Sequence, residues 1–197
     1  MRILGILVML VLVGCKSPYD YLNTDLISEN GHYRAVIEIP AGTNSKIEYD
    51  KNLKEFKPSF RNGEERTIDF LAYPANYGFI PSTYSDPQSG GDGDPLDILV
   101  LSSSLNPGDI VEVLPIAILK LTDNDEQDFK VIAIPTDASK QTIRVANYEE
   151  FVKKYDPARK IIETWFLNYD LQDDTVLLGW GDEKEAIREI ERWRVKS

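Results

Sequence analysis

Three aspartates fall within six residues in the run Asp92-Gly93-Asp94-Pro95-Leu96-Asp97. Gly93 lets the backbone turn tightly and Pro95 excludes a helix, so the run reads as a loop feeding an extended segment. Leu96 is expected to point into the core while Asp94 and Asp97 face an open cavity. Carboxylates held this close repel one another. Cations relieve that repulsion, and hard Mg²⁺ takes oxygen ligands. A second acidic group, Asp123, Asn124, Asp125, Glu126 and Asp128, lies between two strand-like stretches. Taken alone, that group reads first as a solvated loop on an acidic protein. Neither run is a calcium hand, which needs glycine at loop position six and glutamate at twelve. Counted from Asp92, those positions hold Asp97 and Ser103; counted from Asp123, they hold Asp128 and Ile134.

For the two groups to act together, the strands that carry them must be neighbours. Alternation and β-branched residues predict strands over residues 32–40, 46–50, 67–73, 76–80, 96–102, 109–121 and 130–135. Residues 52–65 read as a polar hairpin or loop with Gly63 at its turn, and residues 85–93 as a loop. Helical spacing appears at residues 147–155 and 158–169, the latter with Ile161, Ile162, Trp165 and Phe166 on one face. A short strand over 175–180 and an amphipathic helix over 183–195, with Ala186, Ile187, Ile190 and Trp193 inward, follow. Many short strands and then helices argue for an α+β protein with a mainly antiparallel sheet or barrel. Trp165 and Trp193 are expected in the core, and no role is assigned to His32.

Net charge is -11 over 197 residues, which excludes a nucleic-acid binder, since acidic surfaces repel phosphate backbones. Residues 3–13 form an apolar run after Met1-Arg2, too short for the roughly 20 residues of a bilayer span but suited to a secretory signal. Leu12-Val13-Gly14-Cys15 resembles the bacterial lipobox, whose cysteine is lipidated. The expected organisation is a signal peptide over 1–14, lipidated Cys15 and a tether over 15–30, and one domain over 31–197. That makes the protein exported and membrane-anchored, touching the membrane through its lipid alone. Cys15 is the sole cysteine, so no intramolecular disulfide exists.

The Asp92, Asp94, Pro95 and Asp97 pattern, D-x-D-P-x-D, resembles the soluble family I inorganic pyrophosphatases. Further segments carry the same resemblance in the same order. They are Val36-Ile37-Glu38-Ile39-Pro40, Lys46-Ile47-Glu48, Tyr73-Pro74-Ala75-Asn76-Tyr77-Gly78-Phe79-Ile80, and Lys120-Leu121-Thr122-Asp123 through Asp128-Phe129-Lys130. The resemblance implies an OB-like five-stranded antiparallel β-barrel flanked by helices, hydrolysis of pyrophosphate, and several Mg²⁺ ions per site, with Mn²⁺ as a substitute. It implies metal ligation by Asp92, Asp97, Asp123, Asp128, Glu38 and Glu48. Asp94 would take the proton from the attacking water, and Tyr77 would hydrogen-bond near Asp94 and tune it. Lys46, Arg66, Lys130 and Tyr169 would hold phosphate oxygens. Bacterial members usually form hexamers. The chemistry is coherent, because pyrophosphate has no apolar handle and must be held by cations and hydroxyls, while bound metals acidify water.

Two places depart from the family pattern. Arg61 and Arg66 both lie where one phosphate-binding arginine is expected, and Arg66 is favoured. Tyr169 is followed by Asp170 where the family has lysine. A carboxylate there would repel phosphate, so either Asp170 turns away or substrate is held less tightly. A weakened relative that only binds metal or phosphate compounds is the second reading. Its weakness is that Asp94 has no use in a protein without catalysis.

Overall fold

The computed structural model describes residues 19–124, 126–170 and 172–195. The expected signal segment and Cys15 lie outside these residues, as does Asp125. In chain order come β1 (Tyr33–Ile39), β2 (Ile47–Asp50), β3 (Glu55–Pro58), β4 (Phe60–Arg61), β5 (Glu64–Glu65) and β6 (Asn76–Phe79). They are followed by β7 (Asp97–Val100), β8 (Ile110–Asp123), β9 (Glu126–Gln127) and β10 (Lys130–Pro135). Last come α1 (Tyr148–Phe166), β11 (Thr175–Asp182) and α2 (Glu183–Trp193).

β1 pairs with β6, β6 with β7, β7 with β10, β10 with β8, and β8 again with β1. This circuit closes, giving the expected five-stranded barrel and leaving no free edge within the ring. β7 and β10 run parallel, while the other pairs of the ring are antiparallel. β8 closes the ring because it is long enough to serve three partners besides the short hairpin strand β9. Ile110 to Val113 pair with β1, Val113 to Leu119 with β10, and Ala117 to Asp123 with β11. It turns between them at a register shift, where Ile132 faces Ala117 but Ala133 faces Pro115, leaving Ile116 as the extra residue. Proline, which has no N–H to give to a ladder, is tolerated in a strand at such a bulge.

The apolar run of β7 is buried on both faces, as is β10. Leu99, Ile132 and Ile134 pack with Phe151, Ile162, Trp165 and Phe166 of α1. Ile98, Val100, Val131 and Ala133 pack with Ala186, Ile190 and Trp193 of α2. Both tryptophans are core residues, as expected. The two helices expected at 147–155 and 158–169 are one. Asn147 caps it by accepting the Glu150 N–H at 2.9 Å, and a non-helical Tyr155 (φ -137°, ψ 29°) kinks it just before Pro157. Ile161, expected to face inward, is 59% exposed on that helix.

Two expectations need correction. Residues 67–73 do not form a strand. Their ends bond to residues 42–44, through Ile68 N–H to Asn44 C=O (2.7 Å) and Tyr73 N–H to Thr43 C=O (3.0 Å), and between them Leu71 is exposed. The aromatic content of that run serves packing of Tyr73 against Trp165 (4.6 Å between centroids) instead of strand pairing. Nor are residues 19–30 a tether. Leu26 is 3% exposed in the α2-side core, and Arg34 N–H donates to its carbonyl at 3.0 Å. Tyr21 packs edge-on against Tyr49 and Phe56, and Lys54 pairs with Asp20 at 3.0 Å. A polar segment with an apolar residue at Leu26 and an aromatic at Tyr21 has enough to bury, so it joins the domain.

Candidate active site

A cavity of about 970 Å³ opens on the α1 side of the barrel. Its lining includes Glu38, Lys46, Glu48, Tyr77, Asp92, Asp94, Asp97, Asp123, Asp128, Lys130 and Tyr169. The strands explain the convergence. Lys130 and Asp97 are direct partners in the parallel β7–β10 pair, so their side chains emerge together. Tyr77 faces Leu99, which places it diagonally from Asp97 on the same sheet face. Asp123 ends β8, and Asp128 follows β9, with its N–H bonded to the Leu121 carbonyl at 3.0 Å. Glu38 reaches the cavity through a bulge. Ile37 faces Gly78 and Ile39 faces Tyr77, so Glu38 is the extra residue and is turned out of the ladder. Its carboxylate accepts the Tyr49 N–H at 2.8 Å.

The loop before β7 is pinned at both ends. Ser85 N–H donates to the Asp94 carbonyl, Gly93 N–H to the Ser85 carbonyl (both 2.8 Å), and Asp94 N–H to the Asp92 carboxylate (3.0 Å). Gly93 has φ +86°, the left-handed region that glycine supplies without strain. From the far side, Arg192 of α2 donates to the Ser89 carbonyl (3.1 Å) and to Gln127 (3.2 Å), whose amide donates to Glu189 (2.5 Å). One helix thus ties together the loop carrying Asp92 and the hairpin carrying Asp128. Asn76, fully buried, has a parallel role that its place in the Tyr73–Ile80 motif did not reveal. Its Oδ1 accepts from Ala41 and Leu105 N–H, and its Nδ2 donates to Ser102 Oγ and the Ser103 carbonyl.

At the centre, the Lys130 ammonium bridges Asp97 and Asp128 and also donates to the Tyr77 hydroxyl at 3.3 Å. Tyr77, expected to hydrogen-bond near Asp94, donates to Asp97, because strand register puts it beside Asp97 while Asp94 stands on the preceding loop. Lys130 is 4% exposed. Burial alone would lower its pKa, but the Asp128 and Asp97 carboxylates outweigh that and hold it charged. Burial pushes Asp97 upward against the pull of Lys130. Burial raises Tyr77 well above its usual range and Tyr169 to about 12, so both remain hydroxyl donors at neutral pH. Tyr169 is oriented by stacking on Trp165, with ring centroids 4.6 Å apart and planes 7° apart.

The donor set fits a hard divalent cation. Carboxylates from four chain segments open on one cavity, and a cation already lies between two of them. Among the described residues, no three acidic, His or Cys side chains converge closely enough to hold an ion as they stand. The ammonium of Lys130 occupies the position between Asp97 and Asp128.

Arg66 does not line the cavity. It stands behind Glu48, 3.9 Å from it, and pairs with Asp170 at 3.4 Å. Asp170 also accepts from Arg61 at 3.0 Å, so it is turned toward both arginines. Sequence reasoning missed the parts of the cavity wall supplied by Leu22, Asn23 and Asp25 because it read that segment as a tether.

Burial raises Glu38 from 4.5 to about 8 and Asp92 from 3.8 to about 6. The folded state therefore binds more protons than the unfolded chain between about pH 4 and 8, and stability falls as pH rises across that window. Carboxylates held low by ion pairs, such as Asp50 beside Lys57, act in the opposite sense but only below about pH 4. Metal-free protein should melt several degrees lower at pH 8 than at pH 5.5, and millimolar Mg²⁺ should reverse most of that loss. A melting temperature that is flat or rises over this range in the presence of a chelator would contradict the assignment.

The sequence matches the inorganic pyrophosphatase family over residues 35–196. It is 35% identical over 162 residues to the inorganic pyrophosphatase of Halobacterium salinarum, covering 80% of this chain and 83% of that one. It is 37% identical over 159 residues to that of Mesorhizobium japonicum, covering 79% and 84%. Among solved structures it resembles the inorganic pyrophosphatase from Thermus thermophilus, with a TM-score of 0.76 and 28% identity over 90% of this chain and 97% of that one.

Proposed function

The chain belongs to the inorganic pyrophosphatase family and hydrolyses pyrophosphate to two phosphates, and we propose that it does so in the acidic cavity, with Asp94 taking the proton from the attacking water. The observation that carries this assignment is the meeting of two opposite sets of groups in one cavity. Asp92, Asp97 and Asp128 suit metal, while Lys46, Lys130 and Tyr169 suit phosphate oxygens. Mg²⁺, held by Asp92, Asp97, Asp123 and Asp128 with Glu38 and Glu48 at the rim, would neutralise substrate charge and lower the pKa of water. Asp94 is exposed to solvent, so water reaches it, and its backbone is fixed on both sides. Tyr77 and Lys130 hold Asp97 in one orientation. Lys130, Lys46 and Tyr169 donate to phosphate oxygens, with Arg66 behind them.

The test is phosphate release from pyrophosphate by residues 16–197, with and without Mg²⁺, beside Asp94→Asn. Release should need Mg²⁺ and fall by about 10²–10⁴ in the variant, the usual range for a lost general base. Full activity in the variant would remove Asp94 from that role. No release with Mg²⁺ or Mn²⁺ from folded protein would move the assignment to the binding-only reading. That reading rested on Asp170 repelling phosphate, and the pairing of Asp170 with two arginines weakens it.

Export and anchoring through lipidated Cys15 rest on residues 3–15 of the sequence. Radiolabelled palmitate should enter the full chain in a bacterial host and be absent from Cys15→Ser; equal labelling would refute the anchor. Assembly as a hexamer rests on kinship alone, and a monomeric mass by light scattering would rule it out.

A further inference from the structure

Six charges alternate in a line that leaves the cavity at Lys46. Lys46 Nζ lies 3.3 Å from Glu48, Glu48 3.9 Å from Arg66, Arg66 3.4 Å from Asp170, Asp170 3.0 Å from Arg61, and Arg61 3.4 Å from Asp173. The backbone sets part of this spacing. Lys46 N–H donates to the Arg66 carbonyl (3.0 Å), and Arg66 N–H to the Ser59 carbonyl (2.8 Å), so Lys46 and Arg66 leave adjoining segments. Arg61 comes from the β4–β5 hairpin, whose turn at Asn62 and Gly63 takes φ of +56° and +84°. Asp170 follows Tyr169, which lines the cavity. The same carboxylate oxygen of Asp170 accepts from both arginines, and its other oxygen accepts the Gln172 N–H at 3.1 Å. Its side chain is 15% exposed, far from the mobility of a surface ion pair.

Three cations in a line that starts at one end of the cavity repel one another, and without anions among them each guanidinium would drift to solvent. We propose that Asp170 is a positioning residue that gathers Arg61 and Arg66 just behind the phosphate end of the cavity, so that two guanidinium groups reinforce that end where one was expected. Asp170 engages one nitrogen of each arginine, which leaves the other N–H donors of Arg66 for further bonds, while the second nitrogen of Arg61 is anchored by Asp173 at 3.4 Å. Arg66 is held by Asp170 and Glu48 at long distances, so phosphate can draw it forward. Asp170 then works through the arginines and does not touch substrate. This inference rests on Lys46, Arg66 and Tyr169 forming the phosphate end.

Two readings of Asp170 predict opposite signs. If it positions the arginines, neutralising it weakens binding of pyrophosphate; if it repels phosphate, neutralising it strengthens binding. The experiment uses the full chain, as wild type, Asp170→Asn, Asp170→Glu, Arg61→Ala and the Asp170→Asn/Arg61→Ala double. Calorimetric binding of pyrophosphate with a chelator present tests the inference whether or not the protein turns over. Steady-state kinetics with Mg²⁺ then separate KM from kcat. Asp170→Asn and Arg61→Ala should each raise Kd and KM about tenfold with kcat within about threefold, and the double should be no worse than either single. Asp170→Glu should recover most of the loss. Tighter or unchanged binding in Asp170→Asn, or additive losses in the double, would overturn the proposal. Absence of turnover in the wild type with normal pyrophosphate binding would instead indict the catalytic assignment.

Discussion

Asp97→Asn should fold normally and lose about 10⁴-fold in kcat/KM, about 5.5 kcal/mol of transition-state stabilisation. The side chain stands where three strands meet. Lys130 is its register partner, Tyr77 its diagonal neighbour, and Asp128 shares its cation. Neutralising it removes an oxygen ligand from the proposed metal site and leaves Lys130 with one carboxylate instead of two at the point where substrate must bind. The fold should survive, because an asparagine oxygen still accepts from Tyr77 and Lys130, and Asp128 remains to pair the ammonium. Since burial disfavours the Asp97 carboxylate, the metal-free variant should melt no lower than wild type. Glu48→Gln is the control. Glu48 is an exposed rim residue shared between Lys46 and Arg66, and its loss should cost tenfold or less. Activity of Asp97→Asn within tenfold of wild type, or an equal loss in both variants, would show that Asp97 is not central. Lys130→Met is a different experiment. It strips a buried pair of its cation and should destabilise by about 3–5 kcal/mol, so it cannot separate chemistry from folding.

The chemistry was legible in the sequence where it depends on short spacing. Asp92, Asp94 and Asp97 sit in one six-residue run, and Glu38, Lys46, Tyr77, Asp128 and Lys130 each belong to a motif a few residues long. All of them line one cavity. The barrel was legible as a class, through many short strands followed by helices. What escaped depends on partners far apart in the chain. The parallel pairing of β7 with β10 brings Lys130 to Asp97, and no local pattern encodes it. Tyr77 could be placed only near Asp94 for this reason, since sequence order shows both aspartates and only register chooses Asp97 as its acceptor. Asp170 looked repulsive because its neighbours in sequence gave no sign of Arg61, more than a hundred positions earlier. Residues 19–30 looked like a tether because a few apolar side chains among polar ones carry little periodic signal. They pack because Tyr49, Phe56 and the core around Leu26 receive them.

Gly78→Ala should severely destabilise the fold, although the change adds one methyl group and touches no charge. A Cβ at Gly78 would lie 1.9 Å from the Val36 carbonyl oxygen and 2.9 Å from Ile37 Cα, both backbone atoms that cannot swing aside. Gly78 pairs with Ile37 on one side and Ile98 on the other, so β6 cannot retreat without breaking from β7. Nor can β1 yield, because Tyr33 to Val36 are held by β8 in the closed ring. An open sheet could splay at its edge; a closed barrel has no edge to release. The expected loss exceeds about 4 kcal/mol, most of the margin of a domain near the lower end of the usual range of about 5–15 kcal/mol. Circular dichroism and urea titration would read it, and Gly31→Ala is the comparison. Gly31 has φ +80° with no atom within 4 Å of an added Cβ, so only backbone strain of about 1–2 kcal/mol applies there. A Gly78→Ala protein melting within 5 °C of wild type would mean that β1 is free to move. The crowding has a function. The shift in register that sets Ile37 opposite Gly78 and Ile39 opposite Tyr77 is the same bulge that turns Glu38 out of the ladder and into the cavity. A side chain at Gly78 would push β1 away at that bulge, so the glycine that permits the close approach also places a carboxylate at the site.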